Sequence, residues 1–356
     1  MTRGSTSAPG PGRGDGPGAG GVAGDVAGGV AGDVAGVVDV EISIVNHANR
    51  ALLGRCLASI PAATTGLRRA VTVIDNASHD DSLAMVARDF AEVAVIANDR
   101  RLGFGANHNQ VIDRLVATGS ARYVLVLNDD TALGAEAVTR MVASMDRDAS
   151  LGAVGPVIRD PGGSVAMSRF AYPSVHSALL HDLGTRFTEM PDPAGWLQGC
   201  CLLVRVQALV GIGGFDPRFF LFYEDCDLSR RLVDAGWSLA VCPQATVVHV
   251  GHASVLRTDF VAVTPLQGQR SRFLYLDKHV GPRRARLASW LGRALLAGRA
   301  AAAGLRSVLP RGGSHRHRAV ALAGLARLDP RRPLPHELTA STAAEVRAPT
   351  VGAEPS

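Results

Sequence analysis

Between Val38 and Ser254 the chain switches repeatedly between two hydrophobic periods. Val40–Val45 is a short run of mostly β-branched residues ending at Asn46, the pattern of a buried strand. Leu52, Leu53, Cys56, Leu57 and Ile60 then recur at helical spacing, which predicts a helix over Arg50–Ile60. The alternation continues with a strand at Ala70–Ile74, a helix at Asp80–Phe90 capped by Ser78 or Asp80, and a strand at Val93–Ala97. A helix at Ala106–Thr118 and a strand at Tyr123–Leu127 complete the series. Strands and helices alternating at this pace predict an α/β fold with a mostly parallel, Rossmann-like sheet flanked by helices.

Further along, Val154–Pro156 and Gly162–Met167 predict a short strand and a hairpin. Trp196–Val204 reads as one buried strand entered through a polar turn. Leu228–Leu232 continues a helix as far as Ala235-Gly236-Trp237, and Ser238–Val241 and Ala245–Val248 read as two short strands ending at His249. The ends of the chain follow a different grammar. Residues 1–38 are low-complexity: Val22–Gly29 is nearly repeated by Val30–Val37, and so many glycines with no bulky side chain predict disorder. Arg283–Pro310 has helical composition, with Arg on one face and Leu, Trp290 and Ala on the other. The expected layout is therefore a disordered segment 1–38, a catalytic-looking domain 39–280, a basic helical extension 281–330 and a disordered tail 331–356.

Charge sharpens this division. The formal net charge is +5, yet Gly281–Pro333 alone holds twelve Arg against one acid, Asp329. The basic bias thus belongs to the extension and suits an anionic surface. The extension lacks interleaved aromatics and any recognisable reading module, so no nucleic-acid partner is expected. Five cysteines without a C-x-x-C pair predict buried, reduced thiols rather than disulfides or a zinc site. No uncharged apolar stretch is long enough for a transmembrane helix, and no apolar core follows Arg3 to make a secretory signal. A cytoplasmic location is expected, with the extension suited to peripheral contact on the inner face of the membrane.

In doubly wound sheets ligands bind beyond the carboxyl ends of the strands. The polar residues fall there: Asn46, Asp75-Asn76, Asn98 and Asn128-Asp129-Asp130 follow successive strands. Asp75 is placed either to cap a β–α loop or to accept hydrogen bonds from a base or ribose. The loop Arg101-Leu102-Gly103-Phe104-Gly105-Ala106-Asn107 precedes a helix, where backbone amides can meet a phosphate or ribose. Asp129-Asp130 is either a simple turn or a place where a hard cation takes oxygen ligands and bridges a diphosphate. His249, at its strand end, reads as a structural residue or as a third partner for the acids. The second acidic cluster, Glu224-Asp225-Cys226-Asp227, lies beside Phe219 and Phe220. Acids among apolar residues either sit at the positive end of a helix dipole or hold a metal, a proton or a cation.

Taken in order, these pieces resemble glycosyltransferase family 2, the inverting enzymes of the GT-A fold, and within it the bacterial rhamnosyltransferase and galactofuranosyltransferase group. The resemblance runs from Ser43-Ile44-Val45-Asn46-His47 and Val73–Asp80, through Asn98, Gly103-Phe104-Gly105, Asn107 and Asn109, to Leu127–Thr131. It continues through Trp196-Leu197-Gln198-Gly199, Gly213-Gly214-Phe215-Asp216, Phe219-Phe220, Glu224–Leu228, Arg231, Ala235-Gly236-Trp237 and His249 to Ser254. Departures are Ala48, where the first loop usually has Asn, Asp129, where a Pro is common, and Arg230, where an aromatic is common.

The resemblance implies an enzyme that moves a sugar, a deoxyhexose such as rhamnose, from a nucleoside-diphosphate sugar to a glycan or polyprenyl-linked acceptor in cell-envelope polysaccharide synthesis. It implies Asn46, Asp75, Asn76, Asn98, Gly103, Asn107 and Asp129 on the donor side, with Asp75 at the nucleotide base. Asp130 and His249 would hold Mg²⁺ or Mn²⁺ on the diphosphate, and Asp225 would deprotonate the acceptor hydroxyl. Trp196, Glu224, Asp227 and Arg231 would serve the acceptor side or support it, Arg231 pairing with Asp227 one turn away. The alternative is a catalytically silent protein that keeps the GT-A fold for binding.

Overall fold

The computed structural model describes residues 36–183, 194–251, 264–307 and 313–334. Of the segments expected to be disordered, residues 1–35 and 335–356 lie outside the described residues, as do His252 and Ser254 of the last motif, while Val38 belongs to a strand and Leu334 is buried. The first half alternates as the periods predict: β1 (Val38–Asn46), α1 (Arg50–Ala63), β2 (Arg69–Asn76), α2 (Ser82–Asp89), β3 (Ala94–Asn98), α3 (Phe104–Thr118) and β4 (Ala121–Asn128). Next come β5 (Thr131–Leu133), α4 (Ala137–Arg147), β6 (Leu151–Arg159), β7 (Val165–Ala166), β8 (Arg169–Phe170) and α5 (Val175–Asp182). Then follow β9 (Trp196–Leu197), β10 (Cys201–Arg205), α6 (Val206–Ile212), α7 (Glu224–Asp234) and β11 (Ser238–His249). The chain closes with α8 (Thr264–His279), α9 (Pro282–Ser307) and α10 (Gly313–Arg327).

The main sheet runs β3-β2-β1-β4-β10-β6-β11-β5, with β7 hairpinned onto β6. The run β3-β2-β1-β4 is parallel, β10 is antiparallel to both β4 and β6, and β11 is parallel to β6. This is the mostly parallel, helix-flanked sheet that the GT-A expectation required. Successive residues of β4 point to opposite faces. Tyr123, Leu125 and Leu127 join the core under α1, α2 and α4, while Val124 and Val126 join the one under α3, α6 and α7. Both faces are covered, which is why the strands read as near-continuous apolar runs.

A third core links the extension to the rest. Phe219, Cys226, Phe273, Tyr275, Leu276, Ala285 and Ala288 pack together with Ala178 of α5. Inside this contact Arg272 pairs with Asp182 at 2.6 Å, and Ser271 Oγ donates to the Leu221 carbonyl at 2.8 Å. The helix at 282–307 thus packs on the body of the protein, but the expected division of its faces is corrected. Its buried positions include Ala285, Ala288, Leu296 and Ala303, while Trp290 and Leu287 point outward.

Two further expectations change. Trp196–Val204 is not one strand: β9 pairs with β8 in a separate ribbon, and β10 joins the main sheet. The break at Gln198–Cys200 belongs to the site described below. Ser238–Val241 and Ala245–Val248 are one strand, β11, whose register slips between Cys242 and Thr246, around Pro243, a residue with no N–H for the ladder. All five cysteines are free and buried, as expected. Among the described residues no helix is long and apolar enough to cross a membrane.

Candidate active site

Strand pairing brings distant residues to one place. β11 pairs antiparallel with β5 so that His249 stands opposite Thr131, and Val250 N donates to the Asp130 carbonyl at 3.1 Å. β10 enters against the end of β4, and Asn128 N donates to the Cys200 carbonyl at 2.9 Å. The next peptide toward the N-terminus reaches the second acidic cluster: Gly199 N donates to Asp225 Oδ2 at 2.9 Å. Gln198–Cys200 is therefore the bridge between the two acidic groups. A Cβ on Gly199 would lie 3.0 Å from Asp225 Cβ, so the close approach requires a small residue.

The result is a cavity of about 370 Å³, within the usual range for small-ligand sites, ~300–1,000 Å³. Asn76, Asp129, Asp130, Glu224, Asp225 and His249 all line it. Sequence reasoning missed His47, Arg101, Gln198 and the Phe220–Phe222 segment, which line it as well. Arg101 carried a legible signal, a cation two residues before the glycine of a helix-entry loop. His47, Gln198 and Phe220 stand in the motifs that carry the resemblance, but nothing in the sequence alone places their side chains at the cavity.

On one side, Asp130 is buried and its Oδ1 lies 3.1 Å from His249 Nε2, within ion-pair reach but outside hydrogen-bond alignment. Burial works against a charge on His249. Asp130 and the Cys200 thiol outweigh it and raise the imidazole to about 10. The imidazolium thus serves as counter-charge to Asp130, and a cation at that oxygen would compete with the proton. Asp129 accepts from His47 N and Asn49 Nδ2, both at 3.4 Å. Among the described residues no group of three His, Cys, Asp or Glu side chains is poised around a single ion. An under-satisfied carboxylate with an imidazole beside it still fits Mg²⁺ or Mn²⁺, because such ions take one or two protein ligands and fill the rest from phosphates and water.

Across the bridge, α7 opens with Glu224, Asp225 and Asp227 in its first turn, at the positive end of its dipole. The two residues before them, Phe222 and Tyr223, both hold left-handed backbone, at φ 68° and 66°. Their conformation is strained for side chains of this size and turns the chain sharply into the helix. Asp225 faces the cavity with both oxygens held, Oδ2 by Gly199 N and Oδ1 by Cys226 N at 2.8 Å. Burial pushes its pKa up despite these bonds. Glu224 is more deeply buried, its Oε2 has no hydrogen-bond partner among the described residues, and burial with the neighbouring Asp225 charge drives its pKa well up.

The other residues named from the sequence lie outside the cavity lining. Asp75 is buried, its Oδ1 taking Asn46 Nδ2 at 2.9 Å and its Oδ2 taking Ser78 N at 3.0 Å, so it stitches the β1 and β2 loops. Asn98 Nδ2 donates to Asn107 Oδ1, and Asn107 Nδ2 donates to the carbonyls of Leu102 and Gly103. Gly103 lets the loop touch the Phe220 backbone: an added Cβ would sit 2.8 Å from it, and Phe104 N is spent on the Phe220 carbonyl. Asn76, which does line the cavity, also clamps both backbone groups of Leu102. Trp196 stacks on Phe170 and donates to the Ala171 carbonyl. Asp227 is fully buried, and Arg231 pairs with it at 2.8 Å as the spacing implied. Lys278 and His279 of α8, each 2.7 Å away, were not foreseen, and together the three outweigh burial to keep the Asp227 carboxyl low.

The family profile described as "Glycosyltransferase like family 2" matches residues 39–263. The chain is 34% identical over 270 residues to the N-acetylglucosaminyl-diphospho-decaprenol L-rhamnosyltransferase of Mycobacterium tuberculosis, covering 69% of this chain and 86% of that protein. It is 25% identical over 227 residues to Rhamnosyltransferase WbbL of Escherichia coli, covering 60% and 84% respectively. A solved mannosyltransferase from Pyrobaculum calidifontis, in complex with GDP-Man and Mn²⁺, aligns at 14% identity with a TM-score of 0.48, over 82% of this chain and 86% of that one. On the family match and the first relative, this chain belongs to glycosyltransferase family 2 and is a glycosyltransferase.

Proposed function

We propose that the protein is an inverting, metal-dependent glycosyltransferase that moves a deoxyhexose such as rhamnose from a nucleoside-diphosphate sugar to a glycan carried on a polyprenyl lipid. The observation that carries the reading is the single cavity lined both by Asp130 with His249 and by Asp225 with Glu224. The choice of sugar and of a lipid-linked acceptor rests on the names of the two rhamnosyltransferase relatives.

In this reading Asp130 and His249 would hold Mg²⁺ or Mn²⁺, which would supply charge neutralisation at the leaving diphosphate. Asp225 accepts the acceptor hydroxyl proton as that oxygen bonds to the anomeric carbon and the sugar–phosphate bond breaks. Attack from the face away from the leaving group inverts the anomeric configuration. Gly199 and Cys226 fix the Asp225 carboxylate through their N–H groups, so its orientation is set before substrate arrives. Arg101 and His47 add donors to the cavity wall. Asn46, Asp75, Asn98, Gly103 and Asn107 act on the donor side by holding the loops that shape the wall, and Asp227 with Arg231 fixes the helix that presents the base.

The test is a panel of sugar nucleotides, followed by nucleoside-diphosphate release with and without a polyprenyl-diphosphate-linked acceptor. Acceptor-dependent release from a deoxyhexose donor, with an inverted linkage in the product, is expected. Release with no donor of the panel, or a retained anomeric configuration, would overturn the proposal.

A further inference from the structure

The outward face of α9 is apolar, as the buried one is. Leu287, Trp290 and Leu305 are 54%, 67% and 76% exposed. Ala294, Ala297 and Ala301 between them are exposed too. These six residues follow one another at steps of three or four, so at about 100° per residue they form one stripe along the helix. Ala285, Ala288, Leu296 and Ala303 form the buried side. Exposed Arg283 continues the stripe at its N-terminal end, and exposed Arg284 and Arg286 project to either side of it. α9 contains no Asp or Glu. On α10, which packs against α9, Val320 adds another exposed apolar residue at 69%.

A soluble surface helix normally turns such a stripe toward the core. Here an aromatic and two large aliphatic side chains face outward, bordered by guanidinium groups with no acids among them. We propose that this face is a membrane-docking surface that takes the anionic headgroup layer of a lipid bilayer, with Trp290, Leu287 and Leu305 entering the interface and Arg283, Arg284 and Arg286 meeting lipid phosphates. Charge complementarity selects this occupant. Two copies of the face would bring arginines against arginines, whereas an anionic bilayer offers negative charge and apolar depth together.

The fold ties this surface to the cavity. Ser271 of α8 bonds to Leu221, a cavity-lining residue, and Lys278 and His279 at the end of the same helix hold Asp227 of α7. Gly281 then leads directly into α9. Docking through α9 would therefore set the height of the cavity rim above the bilayer. This part rests on the lipid-linked acceptor proposed above; the docking itself does not.

The experiment uses the full chain, without donor or acceptor, so a wrong substrate assignment leaves its outcome untouched. Co-sedimentation is measured with vesicles of phosphatidylglycerol and phosphatidylcholine and with vesicles of phosphatidylcholine alone, alongside tryptophan fluorescence. The wild type should bind the anionic vesicles with a blue shift in emission and bind the neutral ones weakly. The double variant Leu287→Ser/Trp290→Ser should lose roughly tenfold or more in vesicle affinity. A separate Arg283→Gln/Arg284→Gln/Arg286→Gln variant should lose the preference for anionic lipid. Far-UV circular dichroism checks that the variants fold, and the arginine variant, altered only at exposed positions, keeps the test open should the apolar one misfold. Unchanged binding in both variants would overturn the proposal. So would equal wild-type binding to neutral vesicles, or a dimer in sedimentation that the Trp290 change dissolves.

Discussion

Replacing Asp225 by Asn removes the proposed base while keeping the side-chain shape. A positioned base is worth roughly 10²–10⁴ in rate, or about 2.7–5.4 kcal/mol of barrier. The structure adds a second consequence. Asp225 accepts from two backbone donors, Gly199 N and Cys226 N, at 2.9 and 2.8 Å. An Asn side chain has one acceptor oxygen, so one of these N–H groups must face an NH₂ group. That mismatch should cost about 1–3 kcal/mol of stability, the usual penalty for a lost buried partner. The assay is turnover followed by nucleoside-diphosphate release, with donor affinity from calorimetry and stability from urea melts. Expected are a kcat loss in the stated range and donor affinity within a few-fold of wild type, with the urea midpoint setting the hydrogen-bond mismatch against relief of the buried charge. The pH profile supplies an independent readout. Burial lifts Asp225 to about 6, and the base must be ionised to act, so wild-type turnover should fall as pH drops through that value. Stability moves the other way. A raised carboxyl binds its proton more tightly in the folded state, so its ionisation between the ordinary carboxylate range and about 6 weakens the fold. The acid limb of activity should vanish in Asp225→Asn. Near-wild-type turnover in this variant, with Glu224→Gln inactive, would move the base by one residue and refute the assignment.

Asp130→Ala should abolish transfer at saturating donor with an unchanged circular dichroism spectrum; turnover surviving in that variant under a chelator would exclude its metal role. Asp227→Ala leaves Arg231, Lys278 and His279 without their shared anion, and should cost about 3 kcal/mol in denaturant titration. Its stability loss should exceed that of Asp225→Asn while its kcat loss stays smaller. Ala48 holds left-handed backbone at φ 53°, so Ala48→Gly should stabilise the protein by roughly 0.5–1 kcal/mol, read as a higher urea midpoint.

Much of the fold was legible because both faces of the sheet are covered. Continuous burial leaves near-uninterrupted apolar runs in β1, β2 and β4, and the helices between them carry single buried stripes. The second half resisted for local reasons. Val138, Met141, Val142 and Met145 show a helical period, so α4 is legible in the sequence. Helix α8 hid better: its buried residues include Gln267, Arg270, Ser271 and Arg272, polar side chains spent on partners such as Leu221 and Asp182. Hydropathy periodicity is blurred in a helix whose inner face mixes such hydrogen-bonded side chains with the apolar Phe273, Tyr275 and Leu276.

The site was half legible, and the division has a physical basis. Residues that are costly to bury announce themselves in sequence, and Asp130, Glu224, Asp225 and His249 do converge on one cavity. Asn46, Asp75, Asn98 and Asn107 announce themselves equally loudly, yet in this structure they bond to one another's loops. A polar residue at a strand end is therefore ambiguous until its partners are known. The partners of the oxygens differ. Asp130 Oδ1 faces the His249 imidazolium at 3.1 Å without an aligned hydrogen bond, and Glu224 Oε2 is buried with no hydrogen-bond partner among the described residues, whereas both oxygens of Asp75 are engaged within the loops. Burying a carboxyl oxygen without its full set of hydrogen bonds costs stability. Its retention at two places around one cavity is accounted for if a substrate or cation completes the bonds.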